Sequence, residues 1–221
     1  MAEIQENKMR AVLVNYCYDP DWLTQYPLDV TIYDRSDDGV PRDLTRYGKV
    51  IQTPNLGDVD YDKLTWLVEN YHDLPEVFLW GKTNLFKYCD KVDFEKGVLK
   101  SDFTPLLKYD HKTYSDVYGE VCKYVGTEHG LMYAERADSW YFNTGLDNRG
   151  YFKNWHEWAY AFRLPIEPFV PFAPGGNYIL TREKVLKHSK DLYDEMRSTL
   201  NYAAHPVEAH CCERSYFYLW R

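Results

Sequence analysis

Four groups of residues in this chain have types and positions that could do chemistry. Two short polar loops each follow an apolar run near the start: Asn15, Tyr16 and Asp19 in the first, Asp34 and Ser36 in the second. A carboxylate such as Asp34 at the end of a strand can hydrogen-bond ribose hydroxyls or a base edge; the alternative is a turn-forming Asp. Glu213 stands beside Arg214 near the end of the chain. Adjacent helical residues point to different faces, so at most one of the two need face the core. Buried beside a substrate hydroxyl, Glu213 could have its pKa raised enough to act as a base; as a solvated helix residue it does nothing. In FVPFAPGG, residues 169–176, Gly175 and Gly176 let the backbone approach a ligand closely, because glycine lacks a Cβ and accepts positive φ. Trp140 lies in a charged and aromatic stretch, residues 133–149, that is either a wall or lid over a ligand or an ordinary surface excursion.

The elements that must position these groups centre on residues 49–86. Val50 and Ile51 form a short strand, which Pro54-Asn55-Leu56-Gly57 breaks. Leu64, Leu67, Val68 and Tyr71 then recur at helical spacing, and the residue before Pro75 is pushed out of the helix. Val77-Phe78-Leu79-Trp80 reads as a buried strand ending at Gly81-Lys82-Thr83. Strand, helix and strand within one crossover predict a parallel pair. Ligands of such sheets bind beyond the carboxyl ends of the strands. Further strands are predicted over 10–16, 29–33 and 177–180. Helices are predicted over 115–125 through Val117, Val121, Tyr124 and Val125, over 182–200 with Thr181 as N-cap, and over 207–220.

The chain has 221 residues, 45% hydrophobic and 27% charged, which suits one folded domain. The order strand-loop-strand-loop-strand-helix-strand makes residues 1–90 read as the nucleotide-binding half of an α/β domain, with 91–221 as the acceptor-side half. Its 21 Tyr and 7 Trp supply stacking faces with a polar handle, suited to sugars or bases, or simply a Tyr-rich core and surface. A net charge of -8 argues against a nucleic-acid partner but leaves room for a local basic pocket that takes one diphosphate. The five cysteines lack CxxC spacing, and neighbours such as Cys211 and Cys212 rarely bond to each other; reduced thiols in a cytoplasmic setting are expected. Neither a signal peptide nor a membrane span is expected. No GxGxxG, GxxxxGK[ST], HExxH or GxSxG occurs, which removes dehydrogenases, P-loop kinases, zincins and α/β-hydrolases as first choices.

NLG followed by YDKLTWLVENYHDLPEVFLWGK is similar to the N-x-G…YL-x-x-I-x-x-N-Y-x-x-LP-x-x-x-F-x-x-G pattern of an uncharacterised domain family of fungi, bacteria and viruses. That family resembles glycosyltransferases of the GT-A fold. VNYCYDPDWL, TIYDRS, GGNYILTREKVLKHSKDLY and the terminal ERSYFYLW add to the likeness, which covers both ends of the chain better than residues 90–165. The resemblance implies a GT-A-like, Rossmann-like single domain, with a mostly parallel twisted sheet flanked by helices. It implies transfer of a sugar from a nucleotide-sugar donor to a glycan or other hydroxyl acceptor. Tyr16, Asp34 and Ser36 would then lie near the nucleoside, with Asn55, Gly57 and Asp60 beside it, and Trp140, Gly175 and Gly176 on the acceptor side. Trp80, Gly81 and Lys82 would occupy the place of the metal-binding Asp-x-Asp of GT-A enzymes. Asp58-Val59-Asp60 has that motif's letters but precedes a helix. Either Lys82 neutralises the diphosphate directly, or a manganese or magnesium ion uses other ligands. The competing class is a non-catalytic nucleotide- or carbohydrate-binding module on the same fold.

Overall fold

The computed structural model describes residues 8–100, 102–108, 115–116, 119–137, 140–143, 147 and 149–221. Met9–Asn15 forms β1, an apolar run buried from Ala11 onward, as a strand covered on both faces must be. It is followed by β2 (Leu28–Asp34), β3 (Lys49–Gln52), α1 (Asp58–Glu69) and β4 (Val77–Lys82). Then come α2 (Lys91–Lys100), β5 (Thr104–Pro105), β6 (Ser115–Asp116), β7 (Gly119–Glu120), β8 (Cys122–Thr127), β9 (Gly130–Arg136) and α3 (Trp155–Ala161). The chain ends with β10 (Phe169–Phe172), β11 (Tyr178–Thr181), α4 (Arg182–Val185), α5 (Lys190–Ser198) and α6 (Val207–Trp220).

The result is one mixed α/β domain. Its main sheet has the order β3-β2-β1-β4-β11-β5. β1 to β4 run parallel, and β11 runs antiparallel to both its neighbours. Strand order departs from β1 in both directions, toward β2 and β3 on one side and β4 on the other. A crevice therefore opens beyond the carboxyl ends of β1 and β4.

Alternation along the strands divides the core in two. Val12, Val14, Phe78, Trp80, Tyr178 and Leu180 face the larger core, shared with α1, α5, α6 and the antiparallel sheet β10-β9-β8. Ala11, Leu13, Leu79 and Ile179 face the smaller one, closed by Trp22, Leu23, Leu85 and Phe94. α6 lies between the two sheets and is buried almost all round, with Tyr216 and Trp220 stacked at 4.7 Å. All five cysteines are free thiols. Among the described residues no helix is long and apolar enough to cross a membrane.

The predicted strand–helix–strand unit, the strand at 177–180 and the last helix are present within a few residues of their expected ends. Three expectations are corrected. The stretch 115–125 is not helical. Cys122–Thr127 pairs with Gly130–Arg136 through a two-residue turn, and this cross-strand pairing overrides the helical spacing of its apolar residues; Val117 lies outside the described residues. The helix expected over 182–200 is two helices, because Ser189 accepts from the Leu192 amide and starts a new one, as Thr181 does for the first from Lys184. Finally, β4 runs on through Gly81 and Lys82 rather than stopping before them.

Candidate functional site

The crevice beyond β1 and β4 holds a cavity of about 150 Å³. Val14 and Tyr16 come to it from the end of β1, Lys82 from β4, and Thr83, Asn84 and Tyr88 from the segment after it. Arg35 enters from the end of β2, Asn55 from the loop before α1, Asp58 and Val59 from the first turn of α1, and His205 from the turn before α6. Five segments of the chain therefore meet at one switch point.

A buried frame fixes the cavity's floor. The Asn15 side chain, wholly buried, accepts from the Thr83 hydroxyl at 2.5 Å and donates to Asp34 at 3.0 Å, which ties β1 to β4 and β2. Asp34 also accepts from Ser36 and Gln52. Burial opposes ionisation of Asp34, but these hydrogen bonds outweigh it and hold the carboxyl below its ordinary range. The Lys82 amide donates to Asn177 Oδ1 at 2.9 Å, and a Cβ on Gly81 would stand 2.8 Å from that same oxygen. Gly81 is needed for this close approach of β4 to the chain before β11.

Charge in the cavity is mostly positive. The Lys82 ammonium lies 5.3 Å over the Tyr88 ring and makes no hydrogen bond or ion pair with any described residue. Burial works against its charge, but Asp58, Glu213 and Asp60 outweigh burial and hold its pKa above the ordinary lysine value. Arg35 is 2% exposed; it donates to Asn55 Oδ1 and the Leu56 carbonyl, while its Nη1 makes no hydrogen bond and stands 3.9 Å from Asp62. His205 faces Asp58 at 3.7 Å, and that carboxylate raises the imidazole pKa. Such a set can bind a phosphate and can stabilise one that leaves with negative charge. Drug-sized ligands fill about 300–1,000 Å³, so this cavity suits the phosphate portion of a larger molecule. The exposed Tyr16 ring, at 50%, and Tyr88 offer faces at the rim.

The expected site residues fall in different places. Tyr16, Asn55 and Lys82 line the cavity; Asn15, Asp34 and Ser36 are spent on its frame; Gly57 starts α1 beside it. Asp19 is turned to the surface, paired with Arg46 at 2.7 Å. Trp80 does not reach the cavity. Its ring is fully buried against Trp66, Tyr216 and Trp220, because alternation in β4 sends it to the large core while Lys82, two residues on, clears the edge of the sheet. Trp80→Phe is therefore expected to lower the melting temperature while leaving nucleotide affinity within experimental error, as a thermal melt and a titration would show.

Asp60 is also buried below the cavity, accepting from the Tyr216 hydroxyl at 2.8 Å and facing Lys63 at 3.8 Å. Burial raises the Asp60 pKa and lowers that of Lys63. Lys63 donates to the Gly176 carbonyl at 2.7 Å, and the Gly175 amide donates to Glu213 at 2.6 Å. Both glycines have positive φ, 86° and 62°, so the loop holding Glu213 depends on them. The second Glu213 oxygen accepts from Arg214 at 3.2 Å. Trp140 stands apart, donating to Glu135 and packed on His210 at 4.8 Å.

Arg35, His205 and Tyr88 were not singled out from sequence. Arg35 carried a weak signal, as a cation directly after a strand end; His205, 170 residues further on, carried none. Among the described residues no three His, Cys, Asp or Glu side chains gather to hold a metal ion. No protein-family model, curated protein or solved structure matches this chain.

Proposed function

We propose that the protein is a GT-A-like glycosyltransferase, holding the diphosphate of a nucleotide sugar in the cavity beyond β1 and β4 and passing the sugar to a glycan or other hydroxyl acceptor. One observation carries this reading: a Lys82 ammonium with no ion pair among the described residues and a buried Arg35 meet at the switch point of a parallel sheet, where nucleotide phosphates bind in such folds. The nucleoside lies against Tyr16 outside the small cavity. Lys82, Arg35 and His205 stabilise the nucleoside diphosphate as it leaves, and Glu213 takes the acceptor's proton.

The second reading, a nucleotide-binding module without turnover, draws on the state of Glu213. Both its oxygens already accept hydrogen bonds, from Gly175 and Arg214. Melting the protein against a panel of nucleotides and nucleotide sugars, with and without manganese or magnesium, tests binding; a ligand at about 100 times its Kd adds about 2.7 kcal/mol of stability. Consumption of the donor then tests transfer. Binding and consumption together are the expected result, and Glu213→Gln is expected to lower kcat by about 10²-fold or more with donor affinity retained. Binding without consumption leaves the module; no shift with any donor overturns both readings.

A further inference from the structure

The start of α1 is built unusually. Gly57 and Asp58 are both left-handed, with φ of 65° and 49°. Gly57 has no substitute there, since a Cβ would come within 2.5 Å of Tyr61 and 2.8 Å of Leu200. Asp58 is a non-glycine residue held in the same strained region. The Gly57 and Asp58 amides donate to the Ala203 and Ala204 carbonyls, which fastens the turn carrying His205 onto the helix start. These contacts set the Asp58 carboxylate in the cavity wall, with one oxygen on the Val59 amide at 2.7 Å and the other 3.7 Å from His205. Lys82 and Arg35 line the same small cavity, Lys82 with no ion pair among the described residues. A helix start beside Lys82, Arg35 and the His205 imidazole is the surrounding a phosphate seeks. Here a carboxylate of the chain itself occupies it.

We propose that Asp58 holds the place of the anion this cavity takes: a phosphate or diphosphate group displaces its carboxylate from beside His205 on binding and meets Lys82 and Arg35, which line the same cavity. This rests on the cavity being the phosphate site of the proposed donor, but not on transfer taking place. Burial opposes the Asp58 charge; His205, Lys82, the Val59 amide and Arg35 outweigh it and keep the carboxyl ionised well below the usual range, so the stand-in is charged at neutral pH. An incoming anion therefore competes with a fixed negative charge.

The test is calorimetric titration of the full chain with inorganic pyrophosphate in the presence of a chelator, comparing wild type with Asp58→Asn and Asp58→Gly. Both replacements tolerate left-handed backbone, and glycine relieves its strain, so folding survives in at least one. A unit charge about 4–5 Å from the ligand in a medium of effective dielectric about 20 is worth more than tenfold in affinity, so both variants are expected to bind pyrophosphate at least about tenfold tighter. Asp37→Asn removes an exposed carboxylate at the rim, bonded to Asn55 at 3.0 Å, and is expected to change affinity by less than about threefold. Unchanged or weaker binding in the Asp58 variants overturns the inference. So does binding that requires magnesium and vanishes with Asp58, or no pyrophosphate binding at all. Tighter pyrophosphate binding together with no consumption of any nucleotide sugar overturns the transferase reading alone.

Discussion

Lys82→Met is expected to weaken binding of pyrophosphate, and of any nucleoside diphosphate, by about 2–4 kcal/mol, roughly 30- to 1,000-fold in Kd. The size follows from the setting. The Lys82 ammonium is half-buried, unpaired among the described residues and held above its ordinary pKa by three carboxylates. A methionine keeps the stem's packing and removes the charge. Titration at two salt concentrations checks this: an exposed cation would lose its effect at high salt, whereas one in this crevice keeps most of it. Retained affinity in a folded Lys82→Met protein would place the phosphate elsewhere. The same titration across pH reads His205. Its raised pKa keeps the imidazolium charged above the value of free histidine, so affinity for the anion is present at low pH and falls as pH rises through that raised value.

Arg214→Met is expected to destabilise the fold by about 3–5 kcal/mol, because it leaves Glu135 buried without its partner. In a chain of this size that lowers Tm by roughly 6–20 °C. Arg214 is 3% exposed, bonds Glu135 through Nε at 2.9 Å and through Nη2, and donates to the His210 carbonyl. Tyr141 and Phe172 stand over its guanidinium at 4.5 and 4.4 Å. Glu135 belongs to β9 and Arg214 to α6, so this pair joins the small sheet to the central helix. Replacing both residues by methionine is expected to restore much of the loss, since two apolar side chains leave no buried charge. A double variant as unstable as Arg214→Met alone would show that the cost lies in packing rather than in the orphaned carboxylate.

Much of the sheet was legible because its signals are local. β1, β4 and α6 declare themselves by apolar runs or helical spacing, and the loop letters after β1 and β2 gave the frame of the cavity. What was not legible depends on meetings at long range. Arg35 and His205 reach one cavity from positions 170 residues apart, and no short window contains both. Trp80 was misplaced by reading Trp-Gly-Lys as one unit. Alternation from Phe78 onward would have sent it inward, and only the end of the sheet lets Lys82, on that same alternation, reach solvent. The β8–β9 hairpin was hidden by apolar residues whose spacing also fits a helix. The break before Ser189 was hidden because a serine's choice between continuing a helix and starting one is settled by the packing around it.

The antiparallel strand β11 has a consequence for how the molecule is assembled. The parallel strands β1 to β4 come from one continuous third of the chain, with connections short enough for early collapse. The Lys82 amide meets Asn177, by contrast, across 95 residues, a closure whose entropy is about 4 kcal/mol before any contact repays it. His205 arrives later still. During synthesis a chain that has emerged only as far as β4 already carries Tyr16, Arg35, Asp58 and Lys82, yet lacks the strand and the turn that set them facing one another. On the proposed reading, capacity to hold the anion is thus conferred by residues 177–220, so a nascent chain is expected to engage its ligand only once β11 and the helices after it have docked.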